Sequence, residues 1–258
     1  SLSAQYRLSR DDVSLDVRNA GAGCDPTLFG SATCASLGER TSSIASFSLS
    51  FDRRDNSLFP SRGVRMRLVQ DLAGLGGQAR FSRTRLAADG HVRLGGGFTL
   101  SLGAEAGVIA GGKDRRVPVF ERFYLGGTSL RGFDLRGVGP RLRPAGPGAI
   151  AGADIAIGGR SYYAGRVELS LKPSGSLGRT SLKPVVFADF GSAFNGSKRG
   201  LLPGETVTGN SARPRIALGA GLGWETPLGT LRFDAARPVK RQTGDRAQTL
   251  SISLGSTF

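Results

Sequence analysis

Apolar residues alternate with small or polar ones at period two along most of this chain, in runs too long for ordinary globular strands. Leu250, Ile252, Leu254 and Phe258 fall on one face of the last segment, and Thr249, Ser251, Ser253, Gly255 and Thr257 on the other. Upstream, Ile216, Leu218, Ala220, Leu222 and Trp224 alternate with Ala217, Gly219, Gly221, Gly223 and Glu225. Phe98, Leu100, Leu102, Ala104, Ala106 and Val108 oppose Thr99, Ser101, Gly103, Glu105 and Gly107, and Ala45, Phe47, Leu49 and Phe51 oppose Ser46, Ser48, Ser50 and Asp52. Successive side chains of a strand point to opposite faces, so this periodicity predicts strands. About eleven are expected, at roughly 2–9, 13–19, 41–53, 63–72, 78–90, 97–110, 161–172, 183–194, 213–224, 229–239 and 247–258. No segment has convincing helical periodicity.

Two all-β architectures fit the alternation: a soluble sandwich or barrel with one face in a core, and a transmembrane barrel. The strands often reach ten residues or more, against the five or six usual in globular proteins and the roughly 9–11 that a tilted strand needs to cross a bilayer. The second face carries Ser, Thr, Gly, Glu, Asp and Arg, which suits a water-filled lumen better than a Lys- and Glu-rich solvent face. Short turns at 10–12, 56–62, 91–96, 174–180 and 226–230 interleave with longer loops at 20–40, 111–160, 195–212 and 240–246, and only 73–77 breaks the rule. Short connections on one side and long ones on the other mark an outer-membrane barrel. Eleven is odd where single-chain bacterial barrels are even; either one strand escapes the count or an N-terminal portion precedes this chain. The start at Ser1-Leu2-Ser3 has no leader pattern, so a processing boundary is expected there.

Composition narrows the chemistry. Forty of 258 residues are glycine, about twice the usual share of roughly 7%, yet glycine and proline together stay below the low-complexity range. No apolar run approaches the roughly 18 residues of a transmembrane helix. The net charge is +15, carried by 35 basic residues of which only positions 113, 172, 183, 198 and 240 are lysine. Such an excess suits nucleic acid, anionic lipid or lipopolysaccharide, but 7% aromatics leave no stacking platform for bases. The single histidine, His91, argues against histidine metal cages and most catalytic triads. Ser129 lies in Gly127-Thr128-Ser129-Leu130-Arg131, without the second glycine of a nucleophile elbow. No enzyme activity, cofactor or metal is expected. Cys24 and Cys34 lie close together in a Gly/Ser/Ala-rich loop, either as two free thiols or as one loop disulfide; the disulfide is the favoured reading and implies an oxidising compartment.

The 111–160 loop is too long for a passive connection. Phe123, Tyr124, Leu125, Leu130 and Phe133 sit among its glycines and arginines, as befits a loop folded back into a lumen rather than exposed. Leu130-Arg131-Gly132-Phe133, after Phe123-Tyr124-Leu125-Gly126-Gly127 and before Gly139-Pro140-Arg141, resembles the (V/L)RG(F/Y) loop of the BamA family of outer-membrane β-barrel assembly factors. Asp52-Arg53-Arg54-Asp55 with Phe59-Pro60-Ser61-Arg62-Gly63, then 71–77, Phe187-Ala188-Asp189-Phe190-Gly191, Trp224–Gly229 and Leu231-Arg232-Phe233-Asp234 are similar to further family segments in the same order.

The resemblance implies the C-terminal part of a barrel of about sixteen strands, from about the sixth onward, with periplasmic domains and first strands outside this chain. It implies an insertase: unfolded outer-membrane proteins as substrates, accessory lipoproteins and outer-membrane lipid or lipopolysaccharide as partners, and no nucleic acid. Carried over by position, Arg131 would meet Glu168 and Asp189 on the inner wall. The last strand would form a lateral gate, with Gly255 near the seam and Phe258 as the C-terminal recognition signal. Read from the residues alone, Gly255 is equally a packing glycine and Phe258 a belt anchor. A TamA-like autotransporter factor and a two-partner secretion transporter are alternatives, and an anion-preferring porin lined by Arg65, Arg67, Arg166 and Arg232 is a remote one.

Overall fold

The computed structural model describes residues 1–14, 24–57, 59–111, 117–145, 154–172, 182–196, 201–226 and 229–255. Ten strands form one continuous antiparallel sheet: β1 (Leu2–Val13), β2 (Gly38–Asp52), β3 (Gly63–Gly77), β4 (Phe81–Gly95), β5 (Phe98–Gly111), β8 (Ser161–Leu171), β9 (Leu182–Phe194), β11 (Arg215–Thr226), β12 (Gly229–Lys240) and β13 (Leu250–Gly255), each paired with its neighbours in that order. All but β13 are 11–15 residues long, enough to cross a bilayer at a tilt. Three short strands, β6 (Arg141–Arg143), β7 (Ile155–Ala156) and β10 (Thr206–Thr208), make a separate small sheet.

The turn expected at 91–96 is instead the end of β4, with His91 opposite Ser101 and Arg93 opposite Thr99, and the sequence reading is corrected at two further strand ends. Arg10–Asp12 is not a turn: β1 continues to Val13, with Arg10, Asp11 and Asp12 opposite Thr41, Arg40 and Glu39, and most of the strand expected at 13–19 lies outside the described residues. The main sheet has ten strands among the described residues. Likewise 73–77 is the end of β3, with Gly77 opposite Ser42 past a bulge. The cause is the same at both places. Strands run beyond the apolar band, where polar and glycine-rich stretches pair as well as apolar ones, so side-chain character no longer marks the strand end. Residues 15–20 lie outside the described residues.

The two faces differ as the alternation predicts. Outward-facing Phe47, Leu68, Leu102, Leu218, Trp224, Phe233 and Ile252 are all more than 40% exposed, an arrangement that lipid, not water, stabilises. Carboxylates and guanidiniums point inward, with Asp71, Glu168, Asp189, Asp234 and Arg232 all buried. The apolar core lies inside the sheet's curve: Leu125, Leu130, Phe133 and Val138 of the loop pack on Ala164, Ala193 and Ala217 of the wall. The strand order puts the β2–β3 and β4–β5 connections at one end, and the β1–β2, β5–β8, β9–β11 and β12–β13 connections, with the short 78–80, at the other.

At the long-loop end, two single-turn helices, α1 (Pro26–Phe29) and α2 (Ser31–Cys34), are closed by a Cys24–Cys34 disulfide. This knot is tied to the segment before β10, because Glu205 accepts hydrogen bonds from Ser31 N (2.7 Å) and Ser31 Oγ (2.6 Å). Leu142 of β6, fully buried, packs beneath Gly30.

Candidate functional site

Residues 117–145 enter the lumen as an irregular hairpin, with Phe123 bridged to Gly159 and Leu125 to Val138. Its tip folds on itself: Gly127 N donates to Phe133 O at 2.8 Å, and Ser129 Oγ donates to Gly126 O at 2.9 Å. Gly132 turns the chain at φ +86, and a Cβ there would lie 2.9 Å from Ala217 Cβ and 3.4 Å from Ala236 Cβ. Only glycine takes that conformation freely and lets the backbone come so near the wall. The neighbouring Leu130 and Phe133 are then driven into the loop–wall core, 0% and 1% exposed.

Between those two apolar anchors, Arg131 is 3% exposed and lies among carboxylates. It donates to Asp189 from Nε (2.8 Å), Nη2 (2.7 Å) and its backbone N (3.1 Å), and to Glu168 Oε2 from Nη1 (3.0 Å). Its guanidinium carbon stands 3.3 Å from the centroid of the Phe187 ring, a cation–π contact. The structure thus brings Arg131, Glu168 and Asp189 together. Gly255 is the last residue of β13, opposite Thr230 and away from this cluster; Phe258 lies outside the described residues.

Sequence reasoning did not place three further members. Arg232 of β12 donates to both oxygens of Glu168 at 3.0 Å and to Asp234 Oδ1 at 3.1 Å, and Asp234 Oδ2 stands 3.8 Å from Arg131 Nη1. Arg166 adds a contact to Asp189 (3.4 Å) and donates to the loop carbonyl of Thr128 (2.7 Å). The signal was present as parity: Arg232 and Asp234 share the inward face of their strand with Ala236.

The wall makes room through glycine. Phe187 of β9 is opposite Gly219 of β11, and Asp234 of β12 is opposite Gly221. A Cβ at Gly221 would overlap Asp234 Oδ1, and one at Gly219 would overlap the Phe187 ring. The bare backbone of β11 therefore lets side chains from either side lie across it and converge on the loop.

The cluster holds three guanidiniums, of Arg131, Arg166 and Arg232, and three carboxylates, of Glu168, Asp189 and Asp234. Bidentate charge-assisted bonds make such a set specific in geometry. Desolvation nevertheless offsets much of the Coulomb gain when ions are buried. The arrangement therefore acts as a latch that fixes where the loop sits on the wall. No nucleophile–base pair is part of it. Elsewhere in the loop, Tyr124 donates to Val119 O (2.8 Å), and burial raises the pKa of its hydroxyl. His91 meets Ser101 Oγ (2.8 Å) and Asp89 (3.4 Å). Among the described residues, no group of three or more His, Cys, Asp or Glu side chains could hold a metal ion.

Long strands with an apolar outer face, and a loop docked on their inner face by buried ion pairs, define the wall of a transmembrane β-barrel with a lumen-directed loop. The Omp85 superfamily domain matches residues 1–258, and the chain belongs to that superfamily. It is 32% identical over 229 residues to the outer membrane protein assembly factor BamA of Neorickettsia risticii, covering 87% of this chain and 28% of that protein. To the BamA of Neisseria meningitidis it is 27% identical, covering 80% of this chain and 28% of that protein. To a bovine sorting and assembly machinery component 50 homolog it is 29% identical, covering 65% of this chain and 35% of that protein. The chain thus spans under a third of the BamA proteins it matches. Its fold is similar to that of Haemophilus ducreyi BamA lacking POTRA domains 1–3, with TM-score 0.71, 22% identity, and coverage of 85% of this chain and 43% of that one.

Proposed function

We propose that this chain is the C-terminal barrel portion of a bacterial outer-membrane protein assembly factor, which folds and inserts β-barrel proteins without covalent chemistry, nucleotide or cofactor. The observation that carries the reading is the Arg131 fork on Asp189 and Glu168, because a passive pore has no need to hold a loop across its own lumen with buried ion pairs. Unfolded outer-membrane proteins are the substrates, accessory lipoproteins and outer-membrane lipid or lipopolysaccharide the partners, and nucleic acid is not one. In this reading the six-residue β13, which ends at Gly255, forms a weak seam that opens laterally to admit substrate strands by edge pairing, and Phe258 is the C-terminal recognition signal.

The test uses the full-length protein. Arg131→Ala should leave the barrel folded, as read by heat-modifiable migration, yet fail to restore outer-membrane protein assembly when the wild type is depleted. Full complementation by that variant rejects the latch. Depletion also separates the alternatives: many unrelated outer-membrane proteins left unfolded support an assembly factor. Loss of a few autotransporter-type substrates points to a TamA-like factor, and loss of one secreted protein to a two-partner transporter. A change in solute uptake alone points to a porin.

A further inference from the structure

Inside the barrel, the latch guanidiniums face carboxylates. At the long-loop end of β11 and β12, four cations do not. Arg237, opposite Leu218, lies on the outward face; Lys240 is opposite Ile216 where the β11–β12 register shifts, and Arg241 follows it. Arg213 adjoins them, because its carbonyl accepts a hydrogen bond from Gln242 Nε2 at 2.8 Å. All four side chains are exposed, and among the described residues none has a hydrogen-bond or ion-pair partner. The outward apolar residues Leu218, level with Arg237, Val239, between Arg237 and Lys240, and Phe233, four residues below Arg237, are 51%, 58% and 45% exposed.

The corner is open as well as basic. Ala236 N donates toward the β13 side, to Thr249 O (2.8 Å). Two residues on, at the position facing the same way, stands Pro238, which has no N–H to leave unpaired. Beyond it β13 has not begun, and 246–248 hydrogen-bond instead to the motif loop.

We propose that this corner binds the phosphate groups of lipid headgroups in the adjoining leaflet, with Arg213, Arg237, Lys240 and Arg241 as the cations and these apolar residues against the acyl chains. Long basic side chains at the edge of an apolar band reach to headgroup level, and each cation near an anionic lipid surface strengthens binding about five-fold. The site gives a place to the lipid partner named above and rests on the membrane-barrel part of that reading, not on assembly activity.

The experiment titrates detergent-solubilised full-length protein with diphosphoryl lipid A, with fully dephosphorylated lipid A, and with inorganic phosphate. Wild type should bind the diphosphoryl form and neither of the others. The triple variant Arg237→Ala, Lys240→Ala, Arg241→Ala should bind it roughly 100-fold more weakly, by the five-fold factor taken three times, while Arg237→Lys with Arg241→Lys retains binding. Unchanged binding by the triple variant, equal binding of the dephosphorylated lipid, or displacement by millimolar phosphate overturns the proposal. Heat-modifiable migration of every variant reports the barrel separately, so loss of the barrel is not mistaken for loss of the site.

Discussion

Arg131 of the motif loop and Asp189 of β9 are joined by three hydrogen bonds, one of them from the Arg131 backbone. The fork therefore fixes main chain as well as side chain. With the side chains 3% and 1% exposed, removing either partner strands the opposite charge, at about 3–5 kcal/mol of loop docking. Arg131→Ala and Asp189→Ala should each speed hydrogen exchange at amides 125–138 in the folded barrel. The double variant should fall short of the sum by about 1–3 kcal/mol. Additive effects would mean that the two side chains do not act as a unit.

Gly132 tests the same docking through the backbone. Gly132→Ala adds strain at φ +86 and a methyl 2.9 Å from Ala217 Cβ, together about 1–3 kcal/mol. Adding Ala217→Gly removes the contact but not the strained dihedral, so loop protection should return in part. Full return would assign the whole effect to packing, and no return the whole effect to backbone conformation.

The inward glycines of the wall are not equivalent. Gly221→Ala would displace Asp234 and with it one partner of Arg232, whereas a Cβ at Gly103 meets only Arg166 Cβ at an ordinary 3.9 Å. Gly221→Ala is expected to loosen the loop and lower assembly several-fold, and Gly103→Ala to leave both near wild type. Equal behaviour of the two would show that β11 gives way and that its bare backbone is not needed.

The wall was legible because a two-faced strand forces alternation, and the latch's first members because the loop motif's family resemblance carried Glu168 and Asp189 over by position, with which the inward parity of Glu168 agrees. Arg232, Asp234 and Phe187 were not assembled into the site, since which inward side chains converge depends on register and on where Gly219 and Gly221 leave room. Alternation is blind to register. It also fails where strands leave the membrane, which is why Arg10–Asp12 reads as a turn although it is paired. The small sheet of β6, β7 and β10 has elements of only two or three residues, too short to show a period.

The disulfide knot should be a local device. Cys24→Ser with Cys34→Ser reopens a loop of separation 10, a loss of about 2–3 kcal/mol confined to 24–37 and its hold on Glu205. Protease should then cut within 24–37 while the heat-modifiable barrel persists. Glu205→Ala should expose the same segment with the disulfide intact. A barrel that fails to fold in either variant would show that the cap is part of the barrel's own stability.

The turn at the opposite end should respond to acid. The Asp55 carboxylate accepts hydrogen bonds from Ser61 Oγ (2.6 Å), Ser61 N (2.9 Å) and Arg62 N (3.1 Å), and these, the Ser61 hydroxyl first, hold its pKa well below the usual carboxylate value. A carboxylate whose folded pKa is depressed stabilises fully above its unfolded value, about 3.9, and loses that contribution as pH falls through the folded value. Exchange at the Ser61 and Arg62 amides, corrected for intrinsic rate, should therefore be flat above about pH 4 and accelerate progressively below it. Asp55→Asn should exchange faster at neutral pH and lose most of the acid response. An acid response that survives in Asp55→Asn would place the titrating group elsewhere.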